Sequence, residues 1–419
     1  MNMKKDSSTG LDNTSSFSAS FPGLVDLVME DRQTNYLYKT SDDWKITNHF
    51  EDRSGIIFQP PGIDAIPFPL VSAGMVLANQ KDNDHNLYID IVERLKSIVK
   101  LPSEEHYHLV AVYIFFTYMP EIFFYYPYLW FYGLPERGKS RVLKAVVNLS
   151  YRGFYTETLN EAYIFRFADG FKGTLGLDLY EISQRAQMKG SYDLLLGRYE
   201  RGMKTPRVTA YDKGPFKDIT YYDVAGATVL ATNKDIGIHD PLRSRCIQII
   251  MPEARGRYPN NNSIEALMDL KARLIAFRGR HLGETLPEIG KPIEGRLGDI
   301  THPLITIASL LPNEASMNLL TLIGNLETER KEIESDNPTS KIAQALYNLQ
   351  GSVENGRLPV SDLKKILDKD LRFKMYPQAI GRELTALMIK RIKSMGTMHI
   401  IWDEKIMLKI WERYSIPGD

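Results

Sequence analysis

One segment constrains this chain more than any other: YLWFY, then GLPERGKS, then RVLKAVVNLS, running from Tyr128 to Ser150. Residues 133–140 fit the pattern G-x-x-x-x-G-K-[ST], with an apolar strand before it and a helical pattern after it, the context that the pattern requires. Its glycines let the backbone turn tightly, so that N–H groups converge on phosphate oxygens, and the following helix adds its positive N-terminal end. In such a loop Gly133, Pro135, Glu136, Arg137, Gly138 and Arg141 frame a nucleotide's phosphates. Lys139 is expected to neutralise the β and γ phosphates of ATP, and Ser140 to ligate Mg²⁺. A chance match in 419 residues is on the order of a per cent, which makes a chemically idle glycine turn the poorer reading.

The residues that follow supply candidates for the rest of an ATP site. GFYTET reads as a second strand and EAYIFRFAD as a helix, and GTLGLD forms an apolar strand closing on Asp178. A metal-linked carboxylate should end a strand beside the loop strand, and Asp178 is expected there. The next position, where a water-activating glutamate is usual, holds Leu179; Glu181 is the nearest acid and reaches a cleft only if the chain coils at once. GATVLATN ends an apolar strand at Asn233, a candidate to orient the attacking water, or else a turn residue closing the strand. HDPLRSRCIQIIM places Arg243 and Arg245 at a helix–strand junction. In ring ATPases an arginine here reaches the next subunit's γ-phosphate, a contact worth about 10³ to 10⁵ in turnover; the alternative is a surface pair making ordinary salt bridges.

In this order and spacing, residues 128–251 resemble a AAA+ module. The resemblance implies a parallel α/β core followed by a helical lid, the latter matched by SIEALMDLKARLIAFRGRHL and EGRLGDITHPLITIASLL. Arg296, opening the second lid helix, matches the sensor-two arginine, or is a solvent-facing helix residue. RVTAYDKGPFKDITYYDVAG reads as a β-hairpin. A hairpin just before the Asn-ended strand is similar to that of MCM-like helicases, where it tracks nucleic acid in the ring channel. Lys213, Phe216 and Lys217 would then combine phosphate neutralisation with base stacking; solubilising surface lysines are the competing reading.

Toward the C-terminus, KIAQALYNLQ, VSDLKKILDK and YPQAIGRELTALM read as three helices, and IKRIKSMGTMHIIWDEKIM as two strands about a glycine turn. That order resembles the winged helix-turn-helix ending many MCM-like and mobile-element helicases. Between residues 357 and 393 ten basic residues stand against four acidic ones, a local positive patch. Arg382, in the expected recognition helix, and Lys390, Arg391 and Lys393, beside the wing, are the expected DNA contacts. A winged helix used for protein contacts remains open.

Composition adds limits. The 52 basic and 52 acidic residues cancel, so overall charge names no partner and only local asymmetry carries that argument. Cys246 is the single cysteine, which excludes internal disulfides and multi-cysteine metal sites and suits the reducing cytoplasm. His106 and His108, two apart, would not share a helix face, which argues against a metal site there. The run from Leu109 to Tyr132 is long enough to tempt a membrane-span reading, but Pro120, Glu121 and Pro127 interrupt it and its end feeds the glycine loop, so soluble core is expected.

The expected organisation is a disordered tail (1–20), a small mixed N-terminal domain (21–108), a AAA+ core (109–252), a helical lid (253–335) and a winged helix (336–419). The expected activity is an ATP-dependent DNA helicase or translocating ring motor of replication, resembling those of mobile elements, built as a homo-oligomer away from membranes. The alternatives are an ATP-binding initiator or loader switch with slow hydrolysis, favoured by Leu179, and a protein-remodelling ATPase.

Overall fold

The computed structural model describes all residues except 1–14, 42, 210–213, 215–216, 238–239, 254–257, 259–263, 336–337, 370–374, 395, 415 and 417–419. The chain forms two compact units, residues 1–323 and 324–419.

The first unit begins with strands β1 (Ser15–Phe17), β2 (Leu24–Glu30), β3 (Gln33–Lys39), β4 (Trp44–Thr47), β5 (Phe50–Glu51), β6 (Ile57–Gln59) and β7 (Val71–Ser72). They form a three-stranded sheet, β1-β6-β5, and a four-stranded one, β4-β3-β2-β7. Strand β1 lies inside the span expected to be a disordered tail; it pairs in parallel with β6, Ser16 opposite Phe58. Helices α1 (Ala73–Ala78), α2 (Asp84–Ile98) and α3 (Glu104–Thr117) follow.

Helix α3 carries Glu104 and Glu105 in its first turn, where they complement the dipole, and every residue from His108 to Thr117 is buried. It is apolar all round because it is the centre of the unit, packed against α2, α4 and α9. The apolar run at 109–132 is thus this helix, a turn at Pro120 and a strand. Among the described residues no helix is long and apolar enough to cross a membrane.

The rest of the unit alternates strand and helix: β8 (Tyr128–Tyr132), α4 (Lys139–Leu149), β9 (Phe154–Thr156), α5 (Glu161–Phe171), β10 (Leu175–Leu179), α6 (Ile182–Met188) and α7 (Tyr192–Gly197). The hairpin strands β11 (Lys204–Val208) and β12 (Ile219–Asp223) precede β13 (Thr228–Thr232) and β14 (Cys246–Ile250). Helices α8 (Met268–His281) and α9 (Gly295–Ala308) and the first part of α10 (Asn313–Ser335) complete it.

Five of these strands form a parallel sheet in the order β14-β8-β13-β10-β9. Such sheets bury both faces, and the strand sequences agree: YLWFY, LGLDL and TVLAT are almost wholly buried. Helix α4 packs across β8, β13, β10 and β9. Its approach is close because Gly153 and Gly176 lack side chains: a Cβ on Gly153 would fall 1.7 Å from the Val147 carbonyl oxygen, and one on Gly176 2.7 Å from a Val147 methyl.

The segment from 21 to 108, expected as a separate domain, is woven into this unit. Arg278 of α8 donates to the carbonyls of Leu24 and Val25, and Lys39 to those of Arg280 and Leu282. Buried Asp26 on β2 accepts from Arg152 Nε at 2.7 Å.

The second unit contains α11 (Pro338–Asn348), β15 (Arg357–Pro359), α12 (Val360–Leu367), α13 (Pro377–Ala386), β16 (Arg391–Ser394), β17 (Thr397–Ile401) and α14 (Glu404–Arg413). Its antiparallel sheet has the order β15-β17-β16, one strand more than the sequence pattern predicts. Gly396, with φ of 81°, makes the turn between β16 and β17. Leu346, Leu358, Leu363, Ile380, Leu384 and Ile400 form its core. The unit starts at Gly324, within α10, and not at the expected residue 336.

Candidate nucleotide site

The loop of residues 133–140 leaves β8 and enters α4 through two left-handed residues, Glu136 (φ 65°) and Gly138 (φ 79°). Gly138 is the N-cap of α4 and no side chain caps that end, so the first-turn N–H groups are spent on no side chain. Lys139 is 6% exposed and donates from Nζ to the Leu134 carbonyl at 2.5 Å. Burial lowers its pKa, Asp178 opposes that shift, and Arg137 adds to it. A lysine held this way is short of a counter-charge. Arg137 itself donates to the Met251 carbonyl at 3.2 Å.

A cleft of about 730 Å³ opens over this loop. Pro135, Glu136, Arg137, Gly138, Lys139, Ser140 and Arg141 line it together with Asp178 and Asn233. Residues separated by a hundred positions meet there because they all sit at the carboxyl ends of parallel strands, where open α/β sheets bind ligands. In the register, Asp178 pairs with Ala231 and Ala231 with Phe131, and Leu179, Thr232 and Tyr132 form the next row.

Asp178 is not on the strand beside the loop strand, as the sequence reading placed it. Strand β13 lies between β8 and β10, and the residue beside the loop strand is Asn233. The two strand ends are tied together: the N–H groups of Asn233 and Lys234 both donate to the Tyr180 carbonyl, at 3.2 and 3.0 Å. Trp130 Nε1 fixes the β8–β13 edge by donating to Thr232 Oγ1 at 2.8 Å.

Leu179 is buried. Glu181 lies outside the cleft lining, at the N-cap of α6 but without a capping bond; its two carboxylate oxygens accept from Lys234 Nζ, each at 2.9 Å. The chain does coil directly after the strand, yet Glu181 is turned to a lysine and not to the loop.

The cleft wall also includes residues that no sequence motif marks: Ile98 at the end of α2, Val99 and Lys100 after it, and Tyr180 and Tyr258. The first three belong to no local motif. Their arrival depends on α2 and α3 packing beside α4.

None of the three candidate arginines lines the cleft. Arg243 is committed within its own fold, donating to Asp235, the Ile236 carbonyl and Gln248 at 2.6, 2.6 and 3.1 Å, with its guanidinium 5.5 Å from the Trp130 ring centre. This argues against Arg243 as a contact to another subunit. Arg245 donates to the Pro241 carbonyl at 2.6 Å and lies over Tyr199. Arg296, in the first turn of α9, is exposed and lies over the same ring.

The expected hairpin forms, with Lys204 opposite Asp223 and Val208 opposite Ile219. Its base is anchored on α5 by Arg207 pairing with Glu161 and by Tyr222 against Phe165, ring centres 4.5 Å apart. Lys217 is exposed; Lys213 and Phe216 lie outside the described residues.

In the second unit Arg382 on α13, Lys390, Arg391 and Lys393 are all exposed. Arg391 folds back on α13, donating to Thr385 Oγ1 at 2.9 Å. Thr385, Met388, Ile389, Lys390, Arg391 and Met398 line a groove of about 440 Å³. Part of the basic excess is answered locally, Lys364 by Asp368 and Lys365 by Asp362.

No protein-family description and no curated protein matches this chain. Among solved structures it is similar to the apo A form of the NrS-1 C-terminal region (11% identity, TM-score 0.37, 91% of this chain and 96% of that one). It is also similar to the active helicase Cch of SCCmec type IV (11%, 0.36, 88% and 79%) and to Cdc6p of Pyrobaculum aerophilum (11%, 0.22, 75% and 95%). Scores this low align pieces of architecture and define no family.

Proposed function

We propose that the chain is an ATP-hydrolysing, DNA-acting ring motor, a helicase or translocase of the AAA+ kind, with a C-terminal winged helix. The observation that carries this reading is the single cleft in which Lys139, Ser140, Asp178 and Asn233 meet at the carboxyl edge of a β14-β8-β13-β10-β9 parallel sheet. An uncapped helix end and a buried, under-neutralised lysine suit a polyphosphate, and a hydroxyl and a carboxylate lining the same cleft are oxygen donors suited to Mg²⁺. Ser140 and Asp178 would hold that ion, which supplies charge neutralisation of the phosphates when bound.

In this reading Lys139 binds the β and γ phosphates of ATP and Asn233 orients the attacking water. Glu181 accepts the water's proton once released from Lys234. Arg245 and Arg296, grouped away from their own cleft, serve the nucleotide of an adjoining copy, which makes activity depend on assembly. The hairpin and its Lys217 face single-stranded DNA, and Arg382, Lys390 and Lys393 of the second unit bind duplex backbone.

A second reading, an ATP-bound initiator or loader that hydrolyses slowly, is favoured by the engagement of Glu181 with Lys234 and by Leu179 in the usual glutamate position. Strand displacement on forked DNA with ATP separates the two. Unwinding with DNA-stimulated hydrolysis supports the motor; nucleotide-dependent DNA binding with neither supports the switch.

A further inference from the structure

Tyr199, which no motif singled out, joins two of the candidate arginines. It follows α7, its side chain is 1% exposed, and its carbonyl accepts from the Tyr126 N–H at 2.8 Å. Tyr125 stacks on it, centroids 5.1 Å apart and planes 23° from parallel. The guanidinium carbons of Arg245 and Arg296 lie over the same ring, 5.5 and 5.1 Å from its centre. The two arginines come from different elements, the turn before β14 and the start of α9.

Two like charges gathered at one point repel, so their meeting needs compensation. The electron-rich ring supplies it to both at once, and the fixed ring also limits the rotamers of two long, flexible side chains. Asp299, the nearest acid along α9, is itself taken by Lys291 at 2.5 Å. Arg243, two residues before Arg245, is held elsewhere, on Asp235 and Trp130, so the grouping is selective.

We propose that Tyr199 is a positioning residue that holds Arg245 and Arg296 as one preset cationic pair aimed at the phosphates bound by an adjoining copy. This rests on the ring-ATPase reading above. Tyr199 lies outside the cleft lining; it acts through the two arginines, whose value in stabilising transition-state charge depends on being fixed in advance. It also ties the turn before β14 to the helix α9, because one fixed ring orients an arginine from each.

The test uses the full chain, with ATP turnover and the affinity for a fluorescent ATP analogue measured in parallel. Tyr199→Leu, which keeps an apolar side chain but removes the π face, is expected to lower kcat about 10- to 100-fold, the cost of misplacing catalytic groups by about an ångström, with nucleotide affinity unchanged. Tyr199→Phe keeps the face and is expected to restore turnover. Mixing Tyr199→Leu with Lys139→Ala is expected to recover activity, because the intact clefts of one variant then meet the intact arginines of the other.

Should Tyr199→Leu not fold, Tyr199→Met carries the same expectations. A Tyr199→Leu protein at full rate, beside an Arg245→Ala protein that has lost turnover, overturns the role of Tyr199 and leaves the ring reading standing. A loss that mixing does not rescue, or that Tyr199→Phe shares, overturns it equally. An Arg245→Ala protein that hydrolyses at full rate overturns the ring reading itself.

Discussion

Lys234 Nζ stands 2.9 Å from each carboxylate oxygen of Glu181, so the candidate base just outside the cleft is held by a cation on the strand end that also carries Asn233. The pair is partly exposed, 56% for the lysine and 24% for the glutamate, and such pairs contribute about 1 kcal/mol or less. Lys234→Met is therefore expected to raise ATP turnover by no more than about five-fold, by freeing Glu181. Glu181→Gln is expected to lower it about 10²-fold or more, the usual share of a general base. Steady-state phosphate release reads both, and an unchanged rate in Glu181→Gln removes Glu181 from the chemistry.

Lys139→Ala is expected to abolish measurable ATP binding while leaving the fold intact, because among the described residues the buried ammonium donates to the Leu134 carbonyl alone, and burial opposes its charge. A fluorescent-nucleotide titration checks the first part and a urea midpoint the second. Asp178→Asn is expected to weaken the Mg²⁺ dependence of binding more than binding itself.

Gly153→Ala is expected to destabilise the first unit by at least about 2 kcal/mol. The added methyl would lie 1.7 Å from the Val147 carbonyl oxygen, and a backbone atom at the end of α4 cannot swing aside as a side chain can. A denaturation curve followed by far-UV circular dichroism reads the shift.

His281 bridges Asp84 and Glu284, at 2.9 and 2.7 Å. Burial opposes charge on the imidazole, and the two carboxylates overcome it, so its pKa is raised above 6.5. Burial likewise works against Asp84 ionising, and His281 and Arg280 overcome it, so its pKa is lowered below 3.8. The histidine's contribution to stability is full below its unfolded pKa and is lost as pH rises through the higher folded value. The aspartate's contribution is full above its unfolded pKa and is lost as pH falls through the lower folded value. Both operate together in the interval between 3.8 and 6.5. Asp84→Asn is expected to flatten the loss of stability on the alkaline side, measured as urea midpoints from about pH 5 to 8.

Removing Arg382 or Lys390 is expected to weaken duplex binding and to reduce the log-log salt slope by about 0.9 for each lost phosphate contact. Lys364→Ala and Lys365→Ala are expected to do less, because those side chains already hold Asp368 and Asp362. Fluorescence anisotropy across a salt series distinguishes the two groups.

The strand, loop and helix from Tyr128 to Ser150 were legible because the signal is contiguous: apolar run, glycines, lysine and amphipathic helix follow one another in the chain. The order of strands was not. Nothing local in LGLDLYE says that β13 will insert between it and β8, so Asp178 was assigned the correct edge of the sheet but the wrong neighbour. Arg243 and Arg245 were inseparable in sequence for the same reason, since what distinguishes them is Trp130 and Tyr199, brought near only by folding. The wall made by Val99 and Tyr258 likewise depends on distant packing. In the second unit, three helices and a glycine-turned strand pair could be read from periodicity, whereas the short β15, only three residues long, carries too little pattern to announce itself.

The tie between Asp26 and Arg152 spans 126 positions and lies wholly out of water, Asp26 at 3% and Arg152 at 1% exposed. A shortened chain beginning near Leu109 would keep every nucleotide-site motif and still leave Arg152 without its carboxylate and Arg278 without two of its carbonyl acceptors. Stranding one partner of a buried pair costs about 3 to 5 kcal/mol. The portion that carries the candidate nucleotide site is therefore not portable: recombination that transplanted it into another gene would have to carry the opening strands with it, and β2 travels with that site although none of its residues lines the cleft.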